Sequence, residues 1–171
     1  MCKKKLFCFW KLFKSRKGFT LTELTVTLSI LGIMTAISVP SYISWLPRHR
    51  LQTSARQIYD DLNLAKIRAV KDNIVAVAKF SQLNNNYSIF LDANGTWSVD
   101  ATETKIRENA SFENGVSIAN ITFPSNTIGF NNRGMLPTGA APGGQIDLTN
   151  ATGIIMRVSV NTAGNITISQ L

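Results

Sequence analysis

Hydrophobic side chains are most concentrated near the start of the chain, in an apolar run from residue 19 to residue 39 that ends at Pro40. A helix of about 20 apolar residues spans the hydrocarbon of a bilayer, so this run predicts a membrane-spanning helix. Pro40 has no amide donor and is expected to kink or interrupt the helix as it leaves the bilayer. Pro47 predicts a second break.

A second pattern follows Pro47, with apolar side chains spaced three and four residues apart and polar side chains between them. This period is typical of an amphipathic helix that packs one face on a sheet. We therefore expect residues 40–73 to form the periplasmic half of the N-terminal helix. Its buried face is predicted to consist of Leu51, Ala55, Ile58, Leu62, Ala65 and Ala69.

From residue 74 onward, short apolar or alternating runs are separated by Gly, Pro and Asn, a pattern typical of strands and turns. The predicted fold class is α+β, with a long N-terminal helix packed on antiparallel β-sheets formed by residues 74–171. Asn94-Gly95 predicts a hairpin turn, and the polar stretches 100–114 and 134–144 predict surface loops. The expected strands are 74–80, 87–91, 96–99, 115–123, 127–130, 145–148, 154–160 and 165–169.

The net charge of +8 is concentrated in a basic leader, residues 1–18, which holds seven of the 18 Lys and Arg side chains and no acid. From Phe19 onward, the sequence contains eleven basic and ten acidic side chains. A basic flank stays on the cytoplasmic side of a membrane span, so the rest of the chain is expected to face outward. Cys2 and Cys8 also lie in the leader, so the domain beyond it can form no disulfide.

The junction between leader and apolar run resembles a cleavage site, although secretory signals place theirs after the hydrophobic region. Gly18 is the residue at this junction that has no side chain, which suits a protease cleft at the membrane surface. Glu23 lies inside the span, where an unpaired carboxylate costs about 2.5–3.5 kcal/mol. Cleavage after Gly18 would supply a cation, the new α-ammonium group of Phe19. An uncleaved signal anchor with a chance glutamate is the alternative.

Residues 17–42 resemble the type IV prepilin motif. They begin with Lys-Gly-Phe-Thr-Leu-x-Glu, continue as a long apolar run and end with Pro40-x-Tyr42. The resemblance implies a bacterial inner-membrane protein that a prepilin peptidase cuts after Gly18 and methylates on the amine of Phe19. It also implies that Glu23 pairs with the terminal amine of a neighbouring subunit during filament assembly.

The apolar run departs from the aliphatic spans of most pilins because it contains several hydroxyl side chains. Two interpretations remain open. Small side chains on one helical face let helices approach closely in lipid, or the hydroxyl groups donate back to the preceding turn of their own helix. The face in question consists of Thr22, Thr25, Ser29, Gly32 and Ala36.

The stretch 62–73 followed by a strand is similar to the GspH/FimT group of minor pilins and pseudopilins, and segments 121–134 and 157–164 resemble the same group. This resemblance implies a subunit of a type IV pilus or a type II secretion pseudopilus that helps to initiate the filament. The implied partners are prepilin peptidase, other pilins and an inner-membrane assembly platform. The alternative function is a pilus-tip module that binds DNA or a surface ligand.

The residue types that carry catalysis are sparse, so we expect no enzyme, no cofactor and no metal site. His49 is the single histidine, between two arginines just beyond the span, where a role in solvent or at lipid headgroups is expected. Asp60 and Asp61 are adjacent and so cannot share a helical face. No phosphate-cradling glycine loop precedes a helix.

DNA binding is the less favoured function because phosphate recognition needs clustered cations. Some members of the FimT group bind DNA through a Gly-Arg-x-Arg-like stretch, but residues 164–167 here are Gly-Asn-Ile-Thr. Arg133 and Arg157 remain as candidate weak DNA contacts.

Overall fold

The computed structural model describes residues 18–100, 103–137 and 143–171, so the predicted leader up to Lys17 lies outside the described residues. A single long helix, α1 (Leu21–Asp72), opens the described chain. Thr20 caps it, because the Thr20 Oγ1 accepts a hydrogen bond from the amide of Glu23 at 3.2 Å. Asn73 follows its last turn with a φ of 55°. This left-handed conformation ends helices, and Asn tolerates it well.

The predicted break at Pro40 is wrong as an interruption, since α1 continues through both Pro40 and Pro47. Proline removes one backbone donor, which leaves one carbonyl a turn earlier without its usual partner. The turns on either side keep their own hydrogen bonds. Because helix propagation is favourable once turns exist on both sides, this single loss does not end the helix.

The remainder of the described chain forms two four-stranded antiparallel sheets, which confirms the predicted α+β class. The strand order is β3-β2-β1-β5 in the first sheet and β4-β6-β7-β8 in the second. The strands are β1 (Val75–Ser81), β2 (Asn86–Asp92), β3 (Thr104–Ser111), β4 (Val116–Ile121), β5 (Thr127–Phe130), β6 (Gly144–Asn150), β7 (Ile155–Val160) and β8 (Ile166–Gln170).

Two sequence predictions fail at the connection between β2 and β3. Residues 96–99 form no strand, and the stretch 100–114, predicted as a loop, contains β3. The reason is that β3 is an edge strand with most of its side chains exposed, so it has no hydrophobic alternation to reveal it. β2 and β3 do pair as an antiparallel hairpin, but Asn94-Gly95 lies within the longer connection between them and is not a two-residue turn.

The core lies between the second part of α1 and the inner faces of the sheets. All six helix residues predicted for the buried face are at most 1% exposed. They belong to one apolar cluster with side chains from both sheets, among them Tyr87, Phe130, Leu148 and Val158. Three of the six helix residues are alanine, and such small side chains leave room for the larger ones of the sheets.

Candidate functional site

Among the described residues, the first part of α1, up to residue 45, presents an exposed apolar surface. Every side chain from residue 18 to residue 45 is exposed. Among the described residues, α1 is the one helix with a stretch long and apolar enough to cross a membrane, judged by length and composition. A continuous apolar surface of this size favours lipid or other subunits over water. This segment is therefore the candidate anchoring and assembly site.

The predicted cleavage junction lies at the start of this segment. The Phe19 side chain is 77% exposed, and a methyl group built on Gly18 would meet no atom within 4 Å. The peptide bond between them is thus open to approach from the outside. Cleavage and methylation themselves remain predictions.

Glu23 lies in the first turn of α1, three residues after the cap. Thr20 and Glu23 have the spacing of a capping box, in which the glutamate reaches back to the helix start. The partial positive charge of a helix N-terminus also favours a carboxylate there. The capping role of Thr20 was not among the predictions, although the Thr-x-x-Glu spacing is readable in the sequence.

From Thr25 onward, the hydroxyl groups of the apolar run donate to carbonyls of the preceding turn. Thr25 Oγ1 donates to the Thr22 carbonyl and Ser29 Oγ to the Thr25 carbonyl, each at 2.8 Å. Thr35 Oγ1 donates to the Gly32 carbonyl at 2.9 Å. The back-bonding interpretation is therefore confirmed. These hydrogen bonds do not exclude the packing interpretation. Hydroxyl groups that are bonded within their own helix still form a face of small side chains, against which another helix can pack closely in lipid.

The two candidate DNA-contacting arginines lie in different surroundings. Arg157, on β7, makes a bidentate ion pair with Asp147 on the adjacent β6, with distances of 2.8 and 3.0 Å. This hydrogen bond to Asp147 raises the pKa of the Arg157 guanidinium. Arg133 is exposed in the turn after β5. The Asp147 carboxylate neutralises Arg157, so the geometry adds no support for phosphate binding.

A buried polar network that the sequence analysis missed joins α1 to the first sheet. Asp61 is 4% exposed, and its carboxylate accepts hydrogen bonds from the Tyr87 hydroxyl at 2.6 Å and from Arg107 Nε at 3.0 Å. Gln57 Nε2 donates to the same tyrosine oxygen at 3.0 Å. The signal was present, since Asp61 lies three residues after Ile58 and four before Ala65 on the buried face.

The network stabilises structure and leaves no free acid or base. Burial and the hydrogen bond to Asp61 raise the pKa of the Tyr87 hydroxyl, and the Asp61 hydrogen bond raises the pKa of Arg107. Both oxygens of Asp61 are engaged. In the part of the chain that the structure describes, no three His, Cys, Asp or Glu side chains already form a metal-holding group. His49 stacks on Trp45 with ring centroids 4.4 Å apart.

Comparison with known families gives two matches. The model of type II transport protein GspH matches residues 54–164, and that of the prokaryotic N-terminal methylation motif matches residues 13–39. Two fimbrial proteins of Pseudomonas aeruginosa are 28% and 26% identical to the chain over 98 residues. Each match covers 54% of this chain and 63% of the relative, so the chain spans less than two thirds of their length.

Solved structures with a similar fold include a minor pseudopilin and a minor pilin. The minor pseudopilin EpsH from the type 2 secretion system of Vibrio cholerae has a TM-score of 0.53 at 11% identity, covering 71% of this chain and 97% of its own. The type IV minor pilin FimU of Pseudomonas aeruginosa strain PAO1 has a TM-score of 0.52 at 17% identity, covering 71% and 90%. At these identities the likeness shows the fold.

Proposed function

This chain belongs to the family of type II transport protein GspH, and we propose that it works as a minor pilin or pseudopilin processed by prepilin peptidase and assembled into a filament. The observation that carries this proposal is the uncovered apolar segment at the start of α1, with Glu23 in its first turn directly after the Gly18–Phe19 junction. The filament is a type IV pilus or a type II secretion pseudopilus, and the subunit aids its initiation.

The proposed topology follows from the charge and hydropathy of the segments. The basic leader, residues 1–18, stays in the cytoplasm until it is removed, and residues 19–39 hold the subunit in the inner membrane. The periplasmic half of α1, residues 40–73, and the β domain, residues 74–171, lie outside. The partners are the peptidase, other pilins and an inner-membrane assembly platform.

Processing and assembly are linked through one charge. Cleavage after Gly18 exposes the ammonium group of Phe19, which is methylated and remains cationic. An unpaired carboxylate in lipid is unfavourable, so Glu23 gains most from a cation brought to it inside the membrane. We propose that this cation is the Phe19 amine of a neighbouring subunit, which makes insertion into the filament more favourable than remaining alone in the bilayer.

The experiment must separate the charge of Glu23 from its position in a capping box. Glutamine is also accepted at the third helical position of such a box. Glu23→Gln therefore keeps the cap and removes the charge, whereas Thr20→Ala removes the cap and keeps the charge. In cells that assemble the filament, we expect Glu23→Gln to be inserted and cut but absent from sheared filaments, and Thr20→Ala to enter them.

Intact-mass measurement supplies the readout for processing, and Gly18→Glu serves as the uncut reference. The charged side chain of that variant cannot enter a cleft shaped for hydrogen, so its mass should correspond to the full precursor. Equal amounts of Glu23→Gln and wild type in sheared filaments would show that the carboxylate charge has no assembly role.

A further inference from the structure

The outer face of the first sheet, which is turned away from the core, has an apolar half that the chain itself covers. Val77 of β1 and Phe90 of β2 lie opposite each other on this face. Both are fully buried, although they lie outside the apolar cluster of the core. Trp97, from the connection after β2, packs its ring on Gly129, which neighbours Val77 on β5. This connection therefore shields the apolar half of the face from water.

The other half of the same face is polar and forms a groove of about 430 Å³. Because side chains alternate between the two faces along a strand, Val77 is followed on the outer face by Lys79 and Ser81. Their partners on β2 are Ser88 and Asn86, and these four side chains form the floor of the groove. The volume lies within the range of small-molecule sites, ~300–1,000 Å³.

Two asparagines with a left-handed backbone line the groove on opposite sides of its floor. Asn109 lies on β3, with a φ of 47°, and Asn126 directly before β5, with a φ of 56°. Asn109 lies within a register shift between β2 and β3, and its backbone amide donates to Ser88 Oγ at 3.0 Å. Such bulges are frequent beside binding sites, where they re-aim a side chain. The groove thus has a polar floor and an amide side chain on each side.

The polar groups of the groove are available to a ligand. The side chains of Lys79, Asn86, Asn109 and Asn126 make no hydrogen bond or ion pair with any other described residue. Lys79 is the one charged side chain among the described residues that line the groove. Each asparagine amide can both donate and accept hydrogen bonds. This set of groups fits a ligand that carries several hydroxyl groups and one negative charge.

A saccharide fits the groove better than a peptide or a nucleic acid. The backbone groups of β1 and β2 are paired within the sheet, so a peptide could not bind there as an added strand. Nucleic acid needs clustered cations, whereas the groove has a single lysine. A sugar hydroxyl group donates one hydrogen bond and accepts two, which matches the amide and serine side chains.

We propose that this groove binds an acidic saccharide, with the carboxylate of a uronic acid at Lys79 and ring hydroxyl groups at Asn86, Asn109 and Asn126. The proposal goes beyond the assembly role and does not depend on it, because none of the groove residues belongs to α1. A monosaccharide has few atoms with which to gain affinity, so we expect a dissociation constant of about 1 mM for a single uronate.

Thermal unfolding of the full-length chain in detergent micelles, at constant ionic strength, provides the test. Sodium glucuronate at ~20 mM should raise the Tm by about 5 °C. Glucose, which has the hydroxyl groups without the carboxylate, should raise it by less than half as much. Sodium acetate, which has the carboxylate without the hydroxyl groups, should leave it unchanged.

Two substitutions in the floor assign the effect to the groove. Lys79→Gln should reduce the rise with glucuronate to the level seen with glucose, and Asn86→Ala should reduce the rise with both sugars. Lys71→Gln, the same charge removal at an exposed position of α1, should retain the full rise. The Tm of each variant without sugar shows that it folds.

Saturation-transfer NMR of glucuronate with the wild type provides a second measurement and should show contact with the ring protons. The proposal is overturned if glucuronate leaves the wild-type Tm unchanged, if glucose or acetate matches its effect, or if the full rise persists in Lys79→Gln or Asn86→Ala.

Discussion

The two parts of α1 are both α-helical, but their side chains differ in exposure. From residue 21 to residue 45 every side chain is exposed, whereas from Leu51 to Ala69 one face is completely buried in the core. The second part finds its apolar partners within its own chain. The first part has no such partners among the described residues, and we propose that it finds them in lipid or in other subunits. The same secondary structure therefore serves folding in the second part and, in our proposal, association in the first.

The acidic side chains of the helix repeat this contrast. Asp61 is satisfied within the fold by Tyr87 and Arg107. Glu23 lies in the uncovered part, where we propose that its partner comes from a neighbouring subunit. A substitution in the second part should thus change the free energy of unfolding, and one in the first part should change assembly.

Matched leucine substitutions should show the largest difference between the two parts. Leu62 is 1% exposed and Leu28 is 58% exposed. Leu62→Ala should lower the free energy of unfolding by about 3 kcal/mol, because it leaves a cavity in the core. Leu28→Ala should change it by less than about 0.5 kcal/mol. Urea unfolding of both variants in the same detergent measures this, and equal effects would contradict the division of α1.

Matched aspartate substitutions should give the next largest difference. Asp61→Ala removes the shared acceptor of Tyr87 and Arg107, and we expect a loss of about 2 kcal/mol. The loss is limited because the Arg107 side chain is half exposed and regains water. Asp60→Ala, one residue earlier on the exposed side, should be neutral within about 0.5 kcal/mol. The same unfolding measurement applies, and a neutral Asp61→Ala would show that the network contributes no stability.

Tyr87→Phe should have the smallest effect, about 1 kcal/mol near neutral pH, because one hydrogen bond to Asp61 is lost. Its pH dependence is the sharper test. The pKa of Tyr87 is raised by burial and by Asp61, so the folded state holds the proton more tightly than the unfolded state. The contribution is complete below pH ~10 and decreases as the pH rises above that value.

The difference between wild type and Tyr87→Phe should therefore stay constant up to about pH 10 and shrink between about pH 10 and pH 12. Tyr59→Phe, on the partly buried side of α1, provides the control. A difference that stays constant over this range would mean that the Tyr87 hydroxyl does not titrate with folding.

The helical regions and most strands were predictable because their signals are local. The buried face of α1 followed from spacings of three and four residues, and β5 was predicted with its observed bounds. The edge strand β3 was missed because most of its side chains are exposed, with Ile106 and Ala110 half-buried against the core, and because its pairing with β2 depends on backbone groups. The continuity of α1 through Pro40 was missed because a proline rule describes one peptide unit, whereas helix propagation depends on the turns around it.

The sequence by itself determined which helix face is buried, and it predicts where the chain enters the membrane and where it is cut, because each of these depends on residues within a few turns of one another. Only the tertiary structure decided what the polar side chains do. Asp61 gained Tyr87 and Arg107 from strands far along the chain. The ion pair with Asp147 neutralises Arg157, one of the two candidate DNA-contacting arginines. A polar side chain acquires its role from the groups that folding brings within hydrogen-bonding distance, and local periodicity does not encode those groups.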